Sequence, residues 1–410
     1  MHLTPTSDIT RFIREWDQLK AQGRTLTELL DEKVLAEVLK ESPQIRDQLQ
    51  STVEIDRHKG EFKGFTFDLE TIAQIIWTGD LPNLRIIDLS HDYNDLQGEV
   101  GVKGAKALGR ALRSGKVPCL KTLDLWGNPI EDRGVVAIAH ALESGRLTSL
   151  KRLAVGPFRI EDDMFWEGAA ISESLEALAR ALASGHAPML EHLSLYRVLR
   201  GDEGVRLLMS GIRAGGVLGL RRLHLQGSEF VSRIGTQGMR AIAESSFFSF
   251  LIELNLSGNR IEDDGVLALI KAFKTTRMGY LEVLDLDRNT MSDKVLVELA
   301  KLLEAERYLP KLRTLRLGPT QLTVNSARAF GAAYQRNKTL TVDVTHLDWP
   351  TAALRDTADR FRYRNWRAAE GQTDEIRKEA NALLKVKIMT SSRIPSCFGL
   401  STQKWGKLQS

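Results

Sequence analysis

The chain has 410 residues, 42% of them hydrophobic and 27% charged, with a formal net charge of +4 and only two cysteines. No apolar run is long enough to span a bilayer, and Cys119 and Cys397 alone cannot furnish a disulfide framework, so membrane-spanning and disulfide-stapled classes are excluded and a reducing, cytoplasmic setting is favoured. The charge is uneven: residues 351–410 carry twelve basic and six acidic side chains, leaving the remainder slightly acidic.

Residues 1–80 are expected to form a helical cap. Ile9, Phe12, Ile13, Trp16 and Leu19 recur at helical spacing before Gly23, and Leu26, Leu29, Leu30, Val34 and Val38 follow in the same way. A third short helix is expected through Leu69, Ile72, Ile75 and Ile76. The opening residues lack the apolar core of a signal peptide.

Residues 81–349 repeat. LxxLxL phrases open at Leu84, Leu120, Leu150, Leu190, Leu220, Leu251, Leu281 and Leu312, and a worn ninth strand is expected at Leu340, Val342 and Val344. Leu251 to Phe273 shows the unit whole, a strand and turn followed by a helical period through Val266, Leu269, Ile270 and Phe273. In each phrase the leucines face a core and the residues between them face the other side of the strand. Asn128, Asn259 and Asn289 fall where the chain leaves the strand, and their amides are expected to bond the backbone there. Phe158, Val198, Ser228 and Thr320 occupy that position in other repeats.

Eight phrases in phase resemble the leucine-rich repeat family, within it the ribonuclease-inhibitor-like class of long repeats. The resemblance implies an α/β curved solenoid, with parallel strands on the concave face and helices on the convex face, and a protein-binding function. Helical caps are expected at both ends, because a solenoid's terminal repeats expose core. Flagellar and other intracellular assembly proteins are similar, which implies a structural subunit of a larger complex, a cytoskeletal or axonemal one among them. GTPase-activating proteins for Ran are also similar. They end in an acidic tail where this chain ends basic, and Arg133 and Arg159, placed on early exit loops, match no catalytic arginine.

Outward strand positions are zoned, with carboxylates at both ends and Arg152, His192, Arg222 and His224 in the middle beside Trp126 and Tyr196. An acidic or phosphate-bearing protein segment lying across these cations is one reading. The other is lateral neutralisation, Arg222 by Glu253 and Arg316 by Asp285. The long third repeat offers Met164, Phe165 and Trp166 as loop anchors, or as side chains folded back on the convex surface.

Beyond Trp349-Pro350, residues 350–389 are expected to form a basic helical cap and 390–410 an irregular tail. In the cap Arg360, Arg364 and Arg367 interleave with aromatics, which suits RNA contact, but their placement on one side of the helix is first of all that of an amphipathic cap with a solvated basic face. In the tail Phe398, Leu400, Trp405 and Leu408 suit docking on another subunit.

Catalytic motifs are missing. His192 and His224 have no third metal ligand at fixed spacing, and Asp88 and Asp124 lie on an open sheet without a pocket. Gly98, Gly101 and Gly104 lead to no GK[ST] phrase. No catalytic, metal or cofactor residue is assigned, and the expected partners are other proteins of a multi-subunit assembly.

Overall fold

The computed structural model describes residues 54–56, 72–73, 76–77, 81–90 and most of 101–344, with the longest breaks at 157–172, 228–233 and 318–323. The loop anchors Met164, Phe165 and Trp166 lie outside the described residues, as does Arg159. So do Arg360, Arg364 and Arg367, the tail residues Phe398, Leu400, Trp405 and Leu408, and nearly all of both expected caps.

Short strands alternate with helices. The order is β1 (Glu54–Asp56), β2 (Ile86–Asp88), α1 (Val102–Arg113), β3 (Thr122–Asp124), α2 (Glu131–Glu143), β4 (Arg152–Val155), α3 (Glu173–Ala183), β5 (His192–Leu195) and α4 (Gly201–Ala214). It continues with β6 (Arg222–His224), α5 (Thr236–Ala243), β7 (Glu253–Asn255), α6 (Asp263–Thr275), β8 (Val283–Asp285), α7 (Asp293–Glu304), β9 (Thr314–Leu317), α8 (Val324–Arg336) and β10 (Thr341–Val344).

The described residues divide into two compact units, the first running to Val198 and including Leu207–Gly219, the second comprising Leu199–Arg206 and the residues from Leu220 to Val344. In the first unit β1 to β5 pair in chain order, every pair parallel. In the second, β6 to β10 do the same. Parallel neighbours need a crossover, and a helix supplies it between successive strands from β2 onward. The α/β solenoid of strand–helix repeats follows from the spacing of the phrases.

The phrases build the core. Leu120, Leu123 and Leu125, like Leu251, Leu254 and Leu256, are fully buried, and the first phrase and the worn last one keep Leu84, Ile87, Leu89, Leu340 and Val342 inside. Helices add Leu108 and Leu112, Ile138 and Leu142, or Leu269 and Phe273 to the same layer. Glycine sets how closely neighbouring helices approach: a Cβ on Gly109 of α1 would stand 2.6 Å from the Ala137 carbonyl oxygen of α2.

Helix ends carry a signature of their own. Ser114, Ser144 and Ser184 each donate Oγ–H to the carbonyl three residues back, at 2.6, 2.6 and 2.7 Å. Gly115, Gly145 and Gly185 then take φ of 77°, 71° and 73°, the left-handed turn that ends a helix.

Three details differ from the expectation. Among the described residues the sheet begins at β1, inside the stretch expected to form a helical cap but between its expected helices; by register Ile55 corresponds to Ile87, but Thr52 and Arg57 stand where the phrase has its other two leucines, so one buried residue was the whole signal. Gly104 lies within α1 and not ahead of it, Gly101 is the residue before its first turn, and Gly98 lies outside the described residues. Arg133 sits in the first turn of α2 and not on the exit loop.

Candidate functional site

The outward side of each strand is shaped first by its own turns. Asn128 Nδ2 donates to the carbonyls of Leu125 (3.1 Å) and, one repeat back, Leu89 (2.7 Å). Asn259 bonds Leu256 and Leu225 in the same way, and Asn289 bonds Leu286 and Leu256. Each amide therefore pins two repeats, as the sequence led us to expect for its own turn but not for the repeat before. At Val198 a buried apolar side chain fills the position instead. Phe158, Ser228 and Thr320 lie outside the described residues.

A second set of bonds was not anticipated. Asp88, Asp124, Asn255 and Asp285 all stand four residues after the opening leucine, and each accepts the backbone N–H two residues on, at 3.1, 3.0, 3.0 and 3.0 Å. These are Asx turns. The carboxylates at the two ends of the zoned face thus have a local structural role, and the regular offset from the leucine was the signal for it.

In the first unit the structure pairs four of the candidates, Arg152 with His192 and Trp126 with Tyr196. Arg152 points Nη2 at Asp124 Oδ2 (2.7 Å) and Nη1 at His192 Nδ1 (2.6 Å). A guanidinium only donates, so Nδ1 of His192 is the acceptor and the ring proton belongs on Nε2. Burial pushes the Asp124 carboxyl up from 3.8, and Arg152 partly offsets that by stabilising the anion. Trp126 and Tyr196, half-buried on strands two apart, approach with ring centroids 6.2 Å apart at 46°. Gly156 lies between their strands, at φ 113°, and a Cβ there would meet the Tyr196 carbonyl oxygen at 2.0 Å. The missing side chain makes room for the backbone of Tyr196 beside it.

Arg222 and His224 belong to the second unit. Arg222 Nε lies 3.6 Å and His224 Nε2 3.0 Å from Glu253, while Arg316 reaches Asp285 at 3.3 Å. Distance and not an ideal N–H direction defines the His224 contact. His224, ahead of Arg222, holds the Glu253 carboxyl below 4.5; burial raises that of Asp285, with the Asp287 amide and Arg316 opposing. Both lateral ion pairs expected from the sequence are present. Arg152, Arg222, His224 and Arg316 each lie against a carboxylate and His192 against Arg152, so what the face offers a ligand is fixed side chains, ordered aromatics among them.

The family model described as Leucine Rich repeat matches residues 118–139 and 249–269, which span β3 into α2 and the strand, turn and first half of α6 in the second unit. No curated protein matches the chain. With strand–helix repeats in phase on either side of both matches, the chain is a leucine-rich repeat protein. Repeats of this family suggest a role in protein–protein interaction and are generally non-catalytic; no enzymatic family is indicated. Among the described residues no helix is long and apolar enough to cross a membrane.

Proposed function

We propose that the chain is a non-enzymatic scaffold of the ribonuclease-inhibitor-like class and a structural subunit of a larger intracellular assembly, cytoplasmic or cytoskeletal. It holds a protein segment on the outward strand positions. The observation that carries this reading is the Trp126–Tyr196 pair across Gly156, together with the Asp124–Arg152–His192 chain of hydrogen bonds. Rigid aromatics that are already ordered lose little entropy on binding, which is why such residues dominate interface energetics. Arg222 and His224 are assigned to the same class of contact in the second unit. The loop Met164, Phe165 and Trp166 and the tail residues Phe398, Leu400, Trp405 and Leu408 are proposed as further contacts.

Affinity purification of the full-length protein from its source, with and without nuclease, tests the reading. A stable set of co-purifying proteins that survives nuclease, and is lost when Trp126 and Tyr196 are both replaced by Ala in a chain of unchanged circular dichroism, is the expected result. A set retained in full by the double variant would remove the aromatic pair from the interface.

A further inference from the structure

Among the described residues five large apolar side chains are exposed, and two of them, Phe250 (40%) and Tyr280 (50%), occupy the same position in consecutive repeats, immediately before the opening leucine. Lys311 holds that position in the next repeat. Backbone bonds fix the register beside them: Ile252 N–H donates to Arg221 O at 2.7 Å, Glu282 N–H to Ile252 O at 2.8 Å, and Arg313 N–H to Glu282 O at 2.9 Å. The result is a strip along the leading edge of β6 to β9. At a strand spacing of about 4.8 Å its ends are about 15 Å apart, the length of about five extended residues.

Each exposed ring carries a cation. The Arg221 guanidinium lies 5.5 Å from the Phe250 centroid and the Lys311 ammonium 4.8 Å from that of Tyr280. Such stacking orders long side chains before any partner arrives and leaves their charged heads at the surface. Arg221 therefore marks one end of the strip and Lys311 with exposed Arg313 the other, while Phe250, Ile252 and Tyr280 form an apolar middle. Glu282 is the one carboxylate in these two rows of the four repeats.

We infer that this edge of the second unit is a docking strip for an extended acidic segment of a partner protein, with carboxylates at the two basic ends and an aliphatic side chain over Phe250 and Tyr280. Charge complementarity selects the partner: three cations outnumber one acid, and the apolar middle has no use for a uniformly charged chain. A nucleic acid fits less well, because a cation already covers a face of each ring that a base would stack on, and Glu282 opposes an unbroken row of phosphates. The strip uses neither Trp126 nor Tyr196, so its test stands apart from that of the strand face.

A fluorescein-labelled peptide of repeated Glu-Glu-Leu triplets, titrated with the full chain and followed by anisotropy, is the probe. Saturable binding is expected, weakened about tenfold or more, or about 1.4 kcal/mol, both by Phe250→Ser with Tyr280→Ser and by Lys311→Glu with Arg313→Glu. Arg85→Glu with Lys121→Glu, exposed cations of the first unit, leaves it unchanged. If the aromatic variant loses its native circular dichroism, the exposed Lys311 and Arg313 pair carries the result. The inference is overturned by the absence of saturable binding, by equal weakening in the Arg85 and Lys121 control, or by oligo-uridine binding more tightly than the peptide with the same sensitivity to Phe250 and Tyr280.

Discussion

Gly156 on the strand face has little freedom to change. Its φ of 113° is one that other residues adopt only under strain, and an added Cβ would overlap the Tyr196 carbonyl. Gly156→Ala should cost about 2 kcal/mol or more and separate Trp126 from Tyr196. A lowered urea midpoint with a shifted tryptophan emission is the expected outcome; an unchanged midpoint would show that the backbone there is not constrained. The buried acids make opposite contributions with pH. Asp124 and Asp285 are raised, so what they contribute is present below 3.8 and lost as pH climbs through their folded values. Glu253 is depressed by His224 and Arg222, so its contribution is present above 4.5 and lost as pH falls through its lowered folded value. Glu253→Gln should therefore be less stable than the parent above pH 4.5, with the difference shrinking on acidification, as urea midpoints across that range would show. A difference independent of pH would mean that packing, and not ionisation, is what the Gln variant loses. At this scale the sequence was partly legible. Arg222 with Glu253 and Arg316 with Asp285 could be paired by their offsets alone, but the Arg152 bond to Asp124 could not, because it joins the residue two after the opening leucine of one repeat to the residue four after that of its neighbour.

Elements join through their ends as well as their faces. Asp263, in the first turn of α6, accepts the backbone N–H of Ser292 at 2.7 Å and also its hydroxyl, and Ser292 is the residue that opens α7. Asp202 in α4 takes the amides of Gly235 and Gln237 at the start of α5, and Asp132 in α2 takes the hydroxyl of Ser174 in α3. One helix's first-turn carboxylate thus caps the next helix, where the macrodipole also favours a negative charge. Asp263→Ala should cost about 1–2 kcal/mol, and Asp263→Asn, which keeps an acceptor, should recover part of it. If Asn and Ala variants unfold at the same denaturant concentration, the bond to Ser292 contributes nothing. Asp132, Asp202 and Asp263 all lie twelve residues after an opening leucine, so this device was present in the sequence as a period. It went unread because a helix is normally capped from its own preceding residue, and nothing local to Ser292 points back to Asp263. Strands were easier: two buried leucines per phrase sufficed from β2 to β9, whereas β1 offered only Ile55.

At the scale of the whole molecule, a solenoid's stability is a sum over repeats and the interfaces between neighbours. The contacts have that form within each unit: α1 packs on α2 and α2 on α3 in the first, and α5 on α6, α6 on α7 and α7 on α8 in the second. Removing one complete repeat should then shorten the second unit without unfolding it. Deleting residues 251–280 joins Phe250 to Leu281, and the asparagine pins survive the change, since Asn289 would meet the Leu225 carbonyl that Asn259 bonds now. The loss is the layer of Leu254, Leu256, Val266, Leu269 and Phe273, and Ser292, which stays behind, loses its cap from Asp263. Deleting residues 266–280 instead removes most of α6 but keeps β7, uncovering Leu254, Leu256 and Ile261. Circular dichroism of the complete-repeat deletion should keep a cooperative urea transition at a somewhat lower midpoint, whereas the half-repeat deletion should lose the transition of that unit. Equal damage from the two deletions would mean that coupling beyond nearest neighbours holds the unit together, because only then does it matter that a whole period was taken out.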